Sequence, residues 1–174
     1  MWSLPFWPGR IGHDIINQRF PNSDRREIQG KTMSDMIAGT GSCLCGATRF
    51  TAKNISNSVG ACHCSMCRKW GGGPLLAVDC GVNVSFESDE NVSVFDSSKW
   101  AERGFCAKCG SHLFYRFKEG DQYHMPVGLF DDDRGRVLDH QVFIDEKPSF
   151  YSFANKTRDM TGAELSAKYG PPSE

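Results

Sequence analysis

Cysteine is the residue type in this chain with the clearest chemical potential, because its spacing is specific. Seven of the eight cysteines fall into three tight groups, Cys43-Leu44-Cys45, Cys62-His63-Cys64-Ser65-Met66-Cys67 and Cys106-Ala107-Lys108-Cys109. This two-plus-three-plus-two arrangement reads as two zinc sites. Zinc held by four thiolates is coordinatively full and serves the fold, whereas zinc held by three protein ligands keeps a position for water or substrate. Tetrahedral zinc with sulfur at about 2.3 Å needs its thiolates roughly 3.8 Å apart, a separation that Cys-x-Cys and Cys-x-x-Cys segments supply without long loop closure. Gly46 and Gly110 directly follow the outer pairs and provide the positive φ of a tight turn. Lys108 offsets part of the charge of a four-thiolate site. If the strands carrying the outer pairs meet, Cys43, Cys45, Cys106 and Cys109 share one zinc.

The central group has no second pair to join. Either Cys80 or His112 completes it, or its fourth position is open. His63 lies between two ligands and is expected to point away. Cys80, within Val78-Asp79-Cys80-Gly81, is most simply a buried small hydrophobe. Its alternative is a redox switch formed with the central group. Arg68 and Lys69 follow Cys67 immediately and are placed either to receive a carboxylate or to stand in solvent as a basic pair. Trp70-Gly71-Gly72-Gly73-Pro74 permits close backbone approach to a ligand with Trp70 as a wall, but it lacks phosphate-loop spacing and also reads as a plain turn. Arg103 and His112 flank the last pair as candidates for anion partner and proton donor, against ordinary roles in a sheet. Asp131, Asp132 and Asp133 lack the ligand spacing of a calcium loop and read as a solvated turn.

The donor type constrains the reaction. Several thiolates donate strongly to a metal and reduce its Lewis acidity, so thiol handling is more natural than hydrolysis. The two-histidine motif of zinc proteases is also absent.

These groups are set in a chain of 174 residues with 20 Lys and Arg against 21 Asp and Glu, so no basic field favours nucleic acid as a partner. No apolar run approaches the roughly 18 to 20 residues that span a bilayer. Clustered cysteines at i and i+2 rarely have disulfide geometry, which favours a reducing cytoplasm. Residues 1–35 read as a poorly ordered extension without the basic and apolar regions of a signal peptide, although Trp2, Phe6 and Trp7 would also suit a docking arm. The compact domain is expected over 36–170. Its pattern is all-β with minor helix: strands are expected over 47–51, 75–78, 82–86, 92–95, 112–117 and 141–144, with a further candidate over 122–128 that Pro126 limits to an edge or strand end. A helical turn is expected after Cys64, and a short helix over 162–169, where Thr161 and Glu164 have capping-box spacing.

Gly41-Ser42-Cys43-Leu44-Cys45-Gly46, Cys62-His63-Cys64-Ser65-Met66-Cys67-Arg68-Lys69 and Arg103-Gly104-Phe105-Cys106-Ala107-Lys108-Cys109-Gly110-Ser111 together resemble the glutathione-dependent formaldehyde-activating enzyme family, which includes centromere protein V-type domains. The similarity continues through Val127-Gly128-Leu129-Phe130-Asp131-Asp132, His140-Gln141-Val142-Phe143-Ile144 and Lys147-Pro148 to Met160-Thr161-Gly162-Ala163-Glu164, covering about residues 36 to 168. The resemblance implies a β-rich fold of several small antiparallel sheets organised around zinc. It implies two zinc ions per chain: a structural ion on Cys43, Cys45, Cys106 and Cys109, and a more weakly held active-site ion on Cys62, Cys64 and Cys67. It further implies a carbon–sulfur lyase acting on a thiol–aldehyde adduct such as S-hydroxymethylglutathione, with glutathione and formaldehyde as partners. The competing expectation is a non-enzymatic zinc-binding interaction module. The oligomeric state is left open.

Overall fold

A computed structural model describes residues 36–170, and the expected extension over 1–35 lies outside the described residues. Two sheets form the body. The smaller has order β1-β2-β5, in which β1 (Met36–Ser42), β2 (Arg49–Ser56) and β5 (Val84–Phe86) are all antiparallel. The larger contains β3 (Ser58–Cys62), β4 (Leu75–Gly81), β6 (Val92–Phe95), β7 (Ala101–Cys106), β8 (His112–Phe117), β9 (Tyr123–Pro126), β10 (Val137–Val142) and β11 (Arg158–Met160). Its order is β11-β10-β3-β4-β9-β8-β7-β6. The β-rich class expected from strand-forming residues is thus realised. This sheet is mixed, since β10 runs parallel to both β3 and β11 while its other pairs are antiparallel. Parallel pairing joins segments distant in the chain and leaves no hairpin-turn signal to read.

The core lies between the sheets. Phe50 and Ala52 on β2, Val78 and Cys80 on β4, Leu113 and Phe114 on β8 and Met125 on β9 are buried there. Phe50 meets Phe130 edge-on at 5.3 Å and Phe86 at 6.1 Å; Phe86 in turn meets Phe114 at 5.8 Å, and Phe114 meets Tyr123 at 5.1 Å. This chain of rings ties β2 and β5 to β8 and β9, and aromatic pairs add to the area they bury. Gly104 on β7 makes the packing possible, because a Cβ there would stand 2.2 Å from Cε1 of Phe114.

Local expectations are met where the signal is local. Strands appear over Val92–Phe95 and His112–Phe117, and Gly162–Tyr169 is helical (α2) with the Thr161–Glu164 capping box formed. The strand expected over 141–144 instead ends at Val142: Phe143 takes φ 56° and Ile144–Glu146 form a 3₁₀ turn, so the apolar run continues past the point where the ladder stops. Tyr123–Pro126 ends at its proline, as expected, but lies inside the sheet between β4 and β8. Pro126 is paired with Ala77 at the strand's last position, where the missing N–H does not interrupt the ladder.

Substituting Gly104→Ala should destabilise the protein by about 1–3 kcal/mol, the usual cost of forcing extra volume into a packed core. Urea denaturation of the variant checks this; an unchanged midpoint would mean that β7 and Phe114 separate without cost.

Candidate metal centres and their surroundings

Two turns of the same design carry the outer cysteine pairs. In the first, the Gly46 amide donates to the Cys43 carbonyl at 3.0 Å and Gly46 takes φ 74°. In the second, the Gly110 amide donates to the Cys106 carbonyl at 2.8 Å and Gly110 also takes φ 74°. Both glycines supply the left-handed step that folds the sulfurs inward. The Leu44 amide of the first turn donates to Ser111 Oγ beside the second at 3.0 Å, and within the first the Thr48 amide donates to Cys43 Sγ at 3.3 Å.

Cys43, Cys45, Cys106 and Cys109 consequently place their sulfurs within 4.8 Å of one another. Cys43 Sγ lies 3.5 Å from Cys45 Sγ, which lies 3.9 Å from Cys106 Sγ. These separations bracket the roughly 3.8 Å edge of a tetrahedral zinc–sulfur site. The Ser111 hydroxyl and amide, with the Cys45 amide, lower the Cys109 thiol to about 5. Burial opposes ionisation of Cys43, but the Thr48 amide and the neighbouring sulfurs outweigh it.

The central group is built at the junction of β3 and the helix α1 (Ser65–Gly71). Cys62 is the last residue of β3, paired with Leu75 on one side and Val142 on the other. Cys64 is the N-cap of α1, where its sulfur accepts from the Cys67 amide at 3.4 Å. The position normally held by Ser, Thr, Asp or Asn is thus filled by a candidate ligand. Gly72, at φ 76°, closes the helix. The sulfurs of Cys62, Cys64 and Cys67 lie within 4.8 Å of one another. Contacts with Cys62 and Cys67 hold the Cys64 thiol far below its ordinary range, whereas contacts with Cys64 and Cys67 push Cys62 up. Three crowded sulfurs cannot all ionise unless a cation joins them.

The donor chemistry of both groups fits a soft divalent ion. All seven sulfurs are free thiols, and neither group includes a carboxylate or imidazole. Neither Cys80 nor His112 belongs to the central set. Cys80 is fully buried in the core, donates to the Val78 carbonyl at 3.7 Å, and is pushed up to about 12 by burial. His63 is buried and turned away from the sulfurs. Its Nε2 is 2.9 Å from Gln141 Oε1 and its Nδ1 is 2.7 Å from Tyr151 Oη. Gln141 donates through Nε2 to Thr157 Oγ1, so its Oε1 accepts from His63 Nε2–H and the Tyr151 hydroxyl donates to Nδ1. This tautomer secures the backbone between Cys62 and Cys64 from behind.

One sheet face covers the central group. Arg103 on β7 is cross-strand to Phe95 on β6 and Tyr115 on β8, and Phe105 is cross-strand to His112. Arg103 is only 3% exposed, donates from Nη2 to Cys67 Sγ at 3.5 Å, and lies over the rings of Tyr115 at 5.1 Å and Trp70 at 5.9 Å. The acceptor it meets is therefore a protein sulfur. Burial pushes the Tyr115 phenol up to about 12, and burial followed by the Arg103 charge lowers the His112 imidazole, so both groups are neutral at neutral pH.

The other sequence candidates occupy distinct places. Arg68 Nε donates to the His63 carbonyl at 2.8 Å, and its Nη2 lies 3.8 Å from Glu146. Lys69 is exposed on α1. Asp132 pairs with Arg134 in an exposed turn, Asp131 accepts from Thr40 Oγ1 on β1, and Asp133 is exposed. Sequence reasoning missed Tyr115, Gln141 and Tyr151, whose roles depend on strand pairing and distant loops.

The sequence profile of the glutathione-dependent formaldehyde-activating enzyme family matches residues 38–146. An uncharacterized lyase of Schizosaccharomyces pombe is 38% identical over 126 residues, covering 72% of this chain and 92% of that protein. A Halomonas elongata protein provisionally named a glutathione-dependent formaldehyde-activating enzyme is 27% identical over 134 residues, covering 68% of this chain and 83% of that protein. A crystal structure of a Rhodobacter sphaeroides protein is 21% identical, covers 53% of this chain and 87% of its own, and superposes with a TM-score of 0.47. With the profile spanning more than half of the chain and including all seven clustered cysteines, this protein belongs to the glutathione-dependent formaldehyde-activating enzyme family.

Proposed function

We propose that residues 36–170 form a lyase unit that makes or breaks the carbon–sulfur bond of a thiol–aldehyde adduct of the S-hydroxymethylglutathione type. The observation that carries this reading is the three-sulfur group at the β3–α1 junction, which no fourth Cys, His, Asp or Glu among the described residues completes. A zinc ion held by Cys62, Cys64 and Cys67 would supply affinity for an incoming thiol and lower its pKa.

The surrounding residues have defined tasks. Arg103 steadies Cys67 and adds positive charge beneath the group. The His63–Gln141–Tyr151 hydrogen bonds hold the ligand backbone, so the three sulfurs converge without help from the substrate. Lys69 and Arg68 are the cations on α1 that would meet a thiol substrate's carboxylate. Arg68 is already shared with Glu146, leaving Lys69 the freer of the two. Trp70, packed beside Arg103, would wall the approach and limit water. Because thiols and formaldehyde combine unaided, the main gain is holding the partners together. Free thiols throughout favour a reducing compartment such as the cytoplasm. Among the described residues, no helix is long and apolar enough to cross a membrane.

Three measurements check this reading. Metal analysis of purified protein should find two zinc per chain, one removed readily by chelator and one retained. A single retained ion would favour a non-enzymatic zinc module. Cys106→Ser should abolish the cooperative thermal transition or lower its midpoint by more than about 10 °C, while Cys64→Ser should keep most stability and lose activity. Equal unfolding of both variants would contradict separate structural and reactive roles. Zinc-replete protein should accelerate the combination of glutathione and formaldehyde above the spontaneous rate, and the absence of any excess rate would remove this reaction.

A further inference from the structure

Trp70, Phe95, Phe105, Gly110 and His112 line an open cleft of about 350 Å³. Its walls come from both cysteine-bearing regions: Trp70 lies three residues beyond Cys67 on α1, and Gly110 follows Cys109 directly. The indole stacks on His112 at 4.7 Å, lies nearly parallel to Phe95 at 6.0 Å, and meets Phe105 edge-on at 5.9 Å. Arg103 links the cleft to the central sulfurs, since its guanidinium touches Cys67 Sγ and lies over the Trp70 ring. A Cβ on Gly110 would meet nothing within 4 Å, so that wall faces free space. Phe95 is 54% exposed at the rim.

The volume is at the low end of the about 300–1,000 Å³ typical of small-ligand sites, and far exceeds what one hydroxymethyl group fills. Its chemistry is wrong for the body of glutathione, whose carboxylates and ammonium need charged partners. None of the five lining residues carries a fixed charge, and the nearby Arg103 is occupied with Cys67. Rings at these angles offer faces and edges to another flat ring.

We infer that this cleft receives an aryl group on the carbonyl side of the adduct, so that the substrate class is the thiohemiacetal of glutathione with an aromatic aldehyde. The inference rests on the thiol–adduct reading of the three-sulfur group. In the forward direction, the thiol sulfur bonds to the aldehyde carbon, the carbon–oxygen π bond opens, and the thiol's proton ends on that oxygen. The reverse direction breaks the same carbon–sulfur bond, and neither direction involves an oxidant or reductant. The thiol and carbonyl centres meet at Cys62, Cys64 and Cys67 while the ring lies against Trp70 and Phe95.

Titration calorimetry on zinc-loaded full chain compares S-benzylglutathione with S-methylglutathione, which share the tripeptide and differ in the ring. The benzyl compound should bind at least tenfold more tightly, and Phe95→Ala should reduce this ratio below threefold. Phe105→Leu serves as a second variant, with a melting curve on each to verify folding. Equal binding of the two compounds, binding of neither, or a ratio insensitive to both variants overturns the inference. Turnover of glutathione with benzaldehyde and with formaldehyde separates the two levels. A benzyl preference without turnover of either aldehyde upholds the aryl subsite and removes the lyase reading, whereas formaldehyde turnover without a benzyl preference does the reverse.

Discussion

Sulfur crowding is the constraint around which this molecule is arranged. Thiol groups 3.5 to 3.9 Å apart in the outer group repel once ionised, and burial of the central group worsens that repulsion. Backbone amides, the Ser111 hydroxyl and the Arg103 guanidinium each reduce the cost locally. They do not neutralise seven sulfurs, and the all-thiol donor set of each group could hold a soft cation that would do so.

The two groups meet this constraint differently. The outer one brings together four sulfurs from the β1–β2 and β7–β8 turns, which an ion held there would join. Linking segments so far apart restricts the unfolded chain strongly, which suits a structural role. The central group is local, spanning Cys62 to Cys67, and gains its rigidity from a strand end, a helix N-cap and the hydrogen bonds of His63. A local triad contributes less loop closure. Its three sulfurs are brought together within six residues, against the sheet face that carries Arg103.

That sheet face joins stability to specificity. Cross-strand pairing puts Phe95, Arg103 and Tyr115 in line, and α1 lays Trp70 against Phe95 and Arg103. Among the described residues Arg103 has no carboxylate partner, an arrangement made tolerable by ring faces on two sides and a sulfur acceptor. Trp70, one of the two rings that shelter Arg103, also forms a wall of the apolar cleft. Its ligand preference and the positioning of Cys67 are therefore physically linked.

The cysteine groups, their trailing glycines, the β-rich class and the capped helix over Gly162–Tyr169 were legible in the sequence, because each is encoded within a few residues by ligand spacing, φ preference or capping chemistry. The orientation of His63 away from the sulfurs was legible for the same reason. Tertiary structure alone decided that Cys80 and His112 stay out of the central group, that Arg103 reaches Cys67, that β10 runs parallel to β3, and that Trp70, Phe95, Phe105 and His112 share one cleft. These outcomes depend on pairing between distant strands, where a register shift of one residue turns every side chain to the opposite face, and no local pattern records that register.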